Sequence, residues 1–311
     1  MLIIVGFIRR NMAYAAVDLG TNAFRLLVVD KDKRKILLRY SSIIGLGSYL
    51  NKNNVLVPPI KYYRSLDKIF RSIKSLNVKK VNIVATSIFR DCVNKSELEE
   101  DFFKRYSYKL KIITSKREAE LTSKGALKPL NFKDRRFLVV DIGGGSTEIT
   151  LVENNIIMNY VSMRMGVVRE WRRYKKKNSF TIIDKKHIFK DIEKKLLRYK
   201  FFSNLEVKKV KIVVNGGTPT TLAAIKLKLK RYSSELVNGQ KLSLSYIKKT
   251  HDKLMLMKPE ERLKLYGMEK GREVVIIYGI FILISILKLI NKDSLYVSDS
   301  GVLEGLIQEI D

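Results

Sequence analysis

Two short runs carry residue types suited to phosphate chemistry. Residues 14–29 read YAAVDLGTNAFRLLVV, and residues 137–152 read FLVVDIGGGSTEITLV. Each joins an apolar run to Asp-x-Gly, then to small or polar residues, then to a second apolar run. Aligned on Asp18 and Asp141, Arg25 falls opposite Glu148. In the first copy, Gly20 permits a tight turn whose backbone N–H groups can point at an anion. Thr21 and Asn22 add side-chain donors there, and Arg25 suits a forked grip on phosphate. In the second copy, Gly143, Gly144 and Gly145 let the backbone approach phosphate oxygens closely, with Ser146 and Thr147 following. Asp141 would repel phosphate directly. Its expected partner is therefore Mg²⁺, or another divalent cation such as Mn²⁺, which prefers carboxylate, water and phosphate oxygens. Glu148, the second acid of that run, is placed to share the metal, often through water. The first copy alone also fits an ordinary β-turn; the second is the more specific. Together they suggest a duplicated domain with two phosphate-binding hairpins facing one cleft.

Regular elements must hold these runs in place. Residues 13–18 form a continuous apolar run, as expected of a strand buried on both faces, and residues 24–30 and 34–40 read as further strands. A helix is expected near 60–75, with Ile60, Tyr63, Leu66, Ile69, Phe70 and Ile73 on one face. A strand follows at 81–87. Ser96 with Glu99 reads as a capping box for a helix over 97–105. After a strand at 110–114, Ser115 is the expected cap of a helix reaching Gly125. Pro129 and the charged segment 133–136 mark an expected boundary between domains 1–129 and 130–311. The second domain restarts with the Asp141 hairpin and continues with basic helices near 166–176 and 184–199. Strand 211–215, the Gly216-Gly217 turn and helix 219–228 come next. Helices near 244–256, 259–265 and 272–290, a strand at 294–298 and a helix at 301–309 close the chain, the last helix being free to pack back on the first domain. Alternating strands and helices define an α/β protein.

The chain has 311 residues, 46% of them apolar, so two ordinary cores fit and disorder does not. Its single cysteine, Cys92, excludes an internal disulfide. The first residues, MLIIVGFIRR, are too short to span a membrane and carry charge on the wrong side for a signal peptide. Met12 is an alternative start. The apolar run 274–287 is likewise too short to span and reads as a buried helix. These readings favour a cytoplasmic location and no membrane partner.

Lys and Arg number 61 against 31 Asp and Glu, a formal charge of +30. Residues 169–211 alone hold 16 basic and 5 acidic side chains, including Lys175, Lys176 and Lys177. Such a surface concentrates polyanions. A lysine-rich proteome would leave the same mark. The aromatic content is ordinary and no stacking motif stands out, so nucleic-acid binding beyond non-specific charge is not expected. His187 and His251 lack partners at metal-ligand spacing, which speaks against zinc.

The paired motifs resemble those of the actin, sugar-kinase and heat-shock chaperone ATPase superfamily. More specifically, they resemble the exopolyphosphatase / guanosine pentaphosphate phosphohydrolase (Ppx/GppA) family. The likeness runs from about residue 13 to the C-terminus through AAVDLGTNAFRLLV, ATSIFRDCVN (85–94), TSKREAEL (114–121), LVVDIGGGSTEI (138–149), RMGVVR (164–169), NGGTPTTLAAI (215–225) and SDSGVLEG (298–305). It implies two ribonuclease-H-like (actin-like ATPase) domains about a central cleft, and metal-dependent hydrolysis of a terminal phosphoryl group. The family's base is the Glu before Ala in its Ser-Gly-x-Glu-Glu-Ala stretch, which is Glu118 here. Asp141 and Glu148 become the metal side, and Arg90 a phosphate clamp. Asp18, Gly20, Thr21, Asn22, Arg25 and the Gly143–Thr147 turn would take the substrate. Gly216, Gly217 and Thr218 match the superfamily's adenosine-side turn, and Arg164 with Arg169 would follow a long chain.

Several residues depart from the family pattern. Ser115 replaces a usual Gly, and Arg117 a first Glu. Arg117 is expected to lower the pKa of Glu118 and tighten phosphate binding. Ala23, Val274 and Leu303 stand where Ser or Thr, Asp, and Arg are usual. Inorganic polyphosphate is the expected substrate, since a long polyanion makes use of the basic second half. Guanosine pentaphosphate is the alternative. An ATP-dependent small-molecule kinase and a non-catalytic polyanion-binding protein are the rivals from other classes. A homodimer is a family-level expectation.

Overall fold

The computed structural model describes residues 12–32, 35–174, 180–203, 205 and 210–310. The extension before Met12 and Lys175–Lys177 therefore lie outside the described residues. Two sheets organise the chain. The first begins with β1 (Ala13–Leu19), β2 (Ala23–Asp30) and β3 (Ile36–Ile43), an antiparallel meander. After α1 (Ile60–Ser75) comes β4 (Val78–Ala85), parallel to β1. Two helices, α2 (Ser87–Asp91) and α3 (Lys95–Tyr106), lead to the short β5 (Lys111–Ile112) and then to α4 (Ser115–Leu127). The strand order is β3-β2-β1-β4-β5.

The second sheet repeats this plan. β6 (Arg136–Ile142), β7 (Thr147–Glu153) and β8 (Ile156–Met163) form the meander. Helices α5 (Val167–Tyr174) and α6 (Ile182–Leu196) precede β9 (Lys211–Asn215), parallel to β6. The chain continues through α7 (Gly217–Lys226), α8 (Ser234–Val237), β10 (Lys241–Ser243), α9 (Leu244–Leu256), α10 (Pro259–Leu263), α11 (Ile276–Leu289), β11 (Ser294–Ser298) and α12 (Val302–Gln308). The order here is β10-β11-β9-β6-β7-β8.

Side-chain alternation explains why each leading strand is apolar throughout. Ala15, Val17 and Leu19 of β1 enter one core with α1, while Ala16 faces a second core built by Leu303, Leu306 and Ile307 of α12. In β6, Leu138, Val140 and Ile142 face the large core around α11, and Phe137 and Val139 face the other side. Strands buried on both faces lose the polar half of their pattern. The apolar run near 274–287 is, as expected, a buried helix: every residue from Ile276 to Leu287 is buried in α11. No described helix is long and apolar enough to cross a membrane.

α4 and α12 lie against each other with backbones in contact. A Cβ on Gly125 would overlap the Gly301 carbonyl oxygen and sit 2.9 Å from Gly305 N, and a Cβ on Gly305 would overlap Leu121 O. Only glycine lets the helices approach this closely. Through Leu121 and Ala126, α4 contributes to the cores of both sheets.

Several local expectations change. α4 is capped by Thr114, whose hydroxyl accepts from Arg117 N at 3.2 Å, and not by Ser115. The Ser96–Glu99 capping box does not form, because α3 begins at Lys95 after Asn94. Asn94 instead joins Leu56 through both its amide atoms, at 2.9 and 3.0 Å. α2, β8, α8 and β10 were not expected from the sequence. All four are short or lie beside stronger turn signals.

His251 is fully buried on α9, edge-on to Phe281 of α11 at 4.3 Å between ring centroids, and neither ring nitrogen has a hydrogen-bond partner among the described residues. Burial lowers its pKa to about 4. The unfolded imidazole takes a proton near its ordinary 6.5 and the folded one only near 4. Protons therefore favour unfolding, and stability falls as pH drops from about 6.5 towards 4. The loss attributable to His251 should reach about 3 kcal/mol, at 1.36 kcal/mol per pKa unit. Urea titrations across that range should show the slope, and His251→Leu should flatten it. An unchanged slope in that variant would refute the assignment.

Candidate active site

The two hairpins have one geometry. Asp18 pairs across the ladder with Arg25, and Asp141 with Glu148, so the sequence alignment is also a structural register. Each turn closes in the same way, by Gly20 N to Ala23 O and Gly143 N to Ser146 O, both at 3.0 Å. The hairpins meet. A Cβ on Gly144 would lie 2.9 Å from both Asn22 N and Thr21 Cβ, and one on Gly145 would strike Ser87 Oγ.

Four carboxylates gather behind this contact. Glu118, in the first turn of α4, is 8% exposed and accepts a 2.7 Å hydrogen bond from Arg90 Nη1. Arg90 reaches it because α2 turns the chain back directly after β4, and the same Nη1 also donates to Ile113 O at 2.9 Å. Glu148 is 2% exposed; Ser162 donates to its Oε1 at 2.7 Å, and its Oε2 has no hydrogen-bond partner among the described residues. Asp141 Oδ2 accepts from Thr122 Oγ1 at 3.2 Å. Asp18 lies 3.9 Å from Arg25 Nη1, and its buried Oδ1 has no hydrogen-bond partner among the described residues.

Burial raises the pKa values of all four acids, and neighbouring carboxylates add to the shift at Glu118, Glu148 and Asp18. Burial, then Glu148, pushes Glu118 well above the usual carboxylate range, against the pull of Arg90. Burial and then Asp141 raise Glu148 to about 7. Burial raises Asp18 to about 6, opposed by Arg25. Asp141 is also raised, chiefly by burial. The expected effect of Arg117 is overturned. Its guanidinium turns to Glu120, at 3.1 Å, and to Glu309, and it is not among the groups acting on Glu118. Neighbours on a helix point about 100° apart, so adjacent residues do not share a face.

This donor set fits a hard divalent cation. Two buried carboxylate oxygens, Glu148 Oε2 and Asp18 Oδ1, lack partners among the described residues, and the acids are under-neutralised. Among the described residues no group of three or more His, Cys, Asp or Glu could hold a metal on its own. Water and phosphate oxygens would complete the coordination, the usual arrangement for Mg²⁺.

Other expected site residues fall in several places. Asn22, Gly143, Gly144, Gly217 and Thr218 line a gap of about 40 Å³ shared with Arg25 and Arg272. Gly216 and Gly217 border a chamber of about 360 Å³, in which Arg272 Nη1 donates to Gly217 O at 2.7 Å. Ser146 is buried beside the turn. Thr147 is fully buried, and its hydroxyl donates to Met165 O. Arg164 is exposed and ion-pairs with Asp91 at 3.0 Å. Arg169 binds the same aspartate and donates to Gly145 O at 2.7 Å.

Sequence reading missed Thr122, Ser162, Asp91 and Arg272. Thr122 lies four residues after Glu118, on one helix face, and that spacing could have revealed it. Ser162 stands opposite Glu148 in the β7–β8 register, a signal that required β8.

Two sheets of one plan, each offering an Asp-Gly hairpin to a shared acidic site, define the two-domain actin-like ATPase fold. Within that class the chain belongs to the Ppx/GppA phosphatase family, which is matched over residues 27–310. It is 30% identical, over 97% of its length, to the bifunctional 3-dehydroquinate synthase/phosphatase of Fusobacterium nucleatum, of which it spans 47%. It is 26% identical to exopolyphosphatase 2 of Mycobacterium tuberculosis, with 94% and 96% of the two chains covered. The guanosine-5'-triphosphate,3'-diphosphate pyrophosphatase of Vibrio atlanticus is also 26% identical, over 96% of this chain and 59% of that one. The Ppx/GppA family member of Aquifex aeolicus superposes with a TM-score of 0.79 at 28% identity, covering 95% and 96% of the two chains.

Proposed function

We propose that this protein is an exopolyphosphatase that hydrolyses the terminal phosphoryl group of inorganic polyphosphate. The observation that carries this reading is Glu118: a buried carboxylate of raised pKa, held by Arg90 beside two phosphate-type hairpins. A raised pKa makes a carboxylate a stronger base, as general-base catalysis requires. Glu118 orients a water and takes its proton as the water oxygen attacks the terminal phosphorus and the bridging P–O bond breaks. Arg90 fixes the carboxylate through one guanidinium nitrogen, and Arg25 with the two turns grips the phosphates. Asp141 and Glu148 would hold a divalent cation, which when bound offsets phosphate charge. Such reactions depend mainly on positioning and electrostatics. The division into units 1–129 and 130–311 belongs to the same proposal. α4 and α12, which join the two sheets, would carry any relative movement of the units to Glu118.

Guanosine pentaphosphate is the second reading, supported by the name of the Vibrio relative. Phosphate release from tripolyphosphate, long-chain polyphosphate, guanosine pentaphosphate and ATP with Mg²⁺, side by side, tests both. Polyphosphate should give the highest kcat/KM, and EDTA should abolish release. Dominant turnover of guanosine pentaphosphate would move the assignment to the second reading. ATP turnover dependent on a small acceptor would reveal a kinase, and salt-sensitive binding without release a non-catalytic module.

A further inference from the structure

Thr21 and Gly145, one from each hairpin, also line a cavity of about 340 Å³ whose other polar side chains are Arg169, Arg172 and Arg173 of α5. Thr21 is 5% exposed, and its buried Oγ1 has no hydrogen-bond partner among the described residues. Buried hydroxyls almost always have one. An acceptor from outside the chain would satisfy it.

The charges here are unevenly matched. Arg172 donates to Gly47 O and Leu50 O, both at 2.7 Å, and meets no acid among the described residues. Arg169 shares Asp91 with Arg164. Arg173 lies 3.6 Å from Asp191, which Lys195 also engages at 3.2 Å. Cations therefore outnumber acids around the cavity. The chamber of about 360 Å³ beside Gly216 is different: Arg25, Arg39 and Arg272 face Glu269, Asp299 and Glu304 there. A chain bearing negative charge on every phosphate is drawn to the first and gains little from the second.

Resting on the exopolyphosphatase reading, we propose that the polyphosphate chain leaves the hairpins through the α5 cavity, and that Arg172 and Arg173 set the preference for long chains. Titration calorimetry of the full chain with long-chain polyphosphate and with tripolyphosphate tests this. Arg173→Glu should weaken long-chain binding about tenfold or more and flatten its salt dependence by roughly one charge. The ratio of long-chain to tripolyphosphate affinity should fall with it. Arg172→Gln should act in the same direction. Lys249→Glu makes the same charge change on the exposed face of α9 and should leave the ratio intact. If Arg173→Glu does no more than Lys249→Glu, or if Arg39→Glu lowers the ratio in its place, the route is wrong. Binding is read without turnover. Polyphosphate hydrolysis with no arginine dependence would thus sink only this inference, whereas arginine-dependent binding without phosphate release would sink only the hydrolase reading.

Discussion

Glu118→Gln is expected to lower kcat for phosphate release from polyphosphate by about 10²–10⁴-fold, the usual worth of a general base. The amide cannot accept the water's proton, yet it keeps an oxygen for the 2.7 Å bond from Arg90. The protein should remain folded. Glu118 has a raised pKa because burial and Glu148 disfavour its charge. A carboxyl of raised folded pKa destabilises the native state increasingly as pH rises past the unfolded value, and Gln removes that cost. Thermal unfolding at neutral pH should therefore show a melting temperature equal to or above that of the parent. Full metal-dependent activity in a well-folded variant would remove Glu118 from the mechanism. A fall in both activity and melting temperature would point to a structural role.

The second large effect is expected at the α4–α12 crossing. Gly125→Ala places a Cβ into the Gly301 carbonyl and 2.9 Å from Gly305 N, where neither side can yield except by moving a helix backbone. Overpacking of this kind costs about 3 kcal/mol or more. For a chain of 311 residues that is a fall of roughly 5 °C or more in melting temperature. Because α4 carries Glu118 and Thr122, kcat should fall as well, even at temperatures where the variant is folded. Lys124→Ala, on the exposed side of the same helix, should stay within about 0.5 kcal/mol of the parent. Calorimetric scans of both variants check this. An unchanged melting temperature for Gly125→Ala would mean that the helices do not touch as described.

Much of the site was legible in order along the chain. The two hairpins could be read because β-pairing is local: Asp18 with Arg25 and Asp141 with Glu148 are each separated only by a tight turn, so spacing alone implied register. Glu118 was marked by its family stretch and by its place after a strand. Cap assignments were displaced by one or two residues, because Thr114 and Ser115, or Asn94 and Ser96, are equally able to cap. Arg117 misled for a geometric reason, since adjacency in a helix is not proximity in space. β8 went unseen, and Ser162 with it. As an edge strand it exposes Ile156 and the run Met158 to Tyr160, and it lacks the continuous apolar run of β1 or β6.

What the sequence determined by itself is the set of groups on offer: two Asp-Gly turns of matched register, two acids on the second, and a glutamate at a helix start. These depend on contacts between residues near in the chain, which local sterics and side-chain alternation decide. The tertiary structure alone decided whom Glu118 faces and how strongly its proton is held. Arg90 and Glu148 come from other elements. The burial that shifts all four carboxyls is a collective property of two sheets closed together by α4 and α12, which no single segment contains.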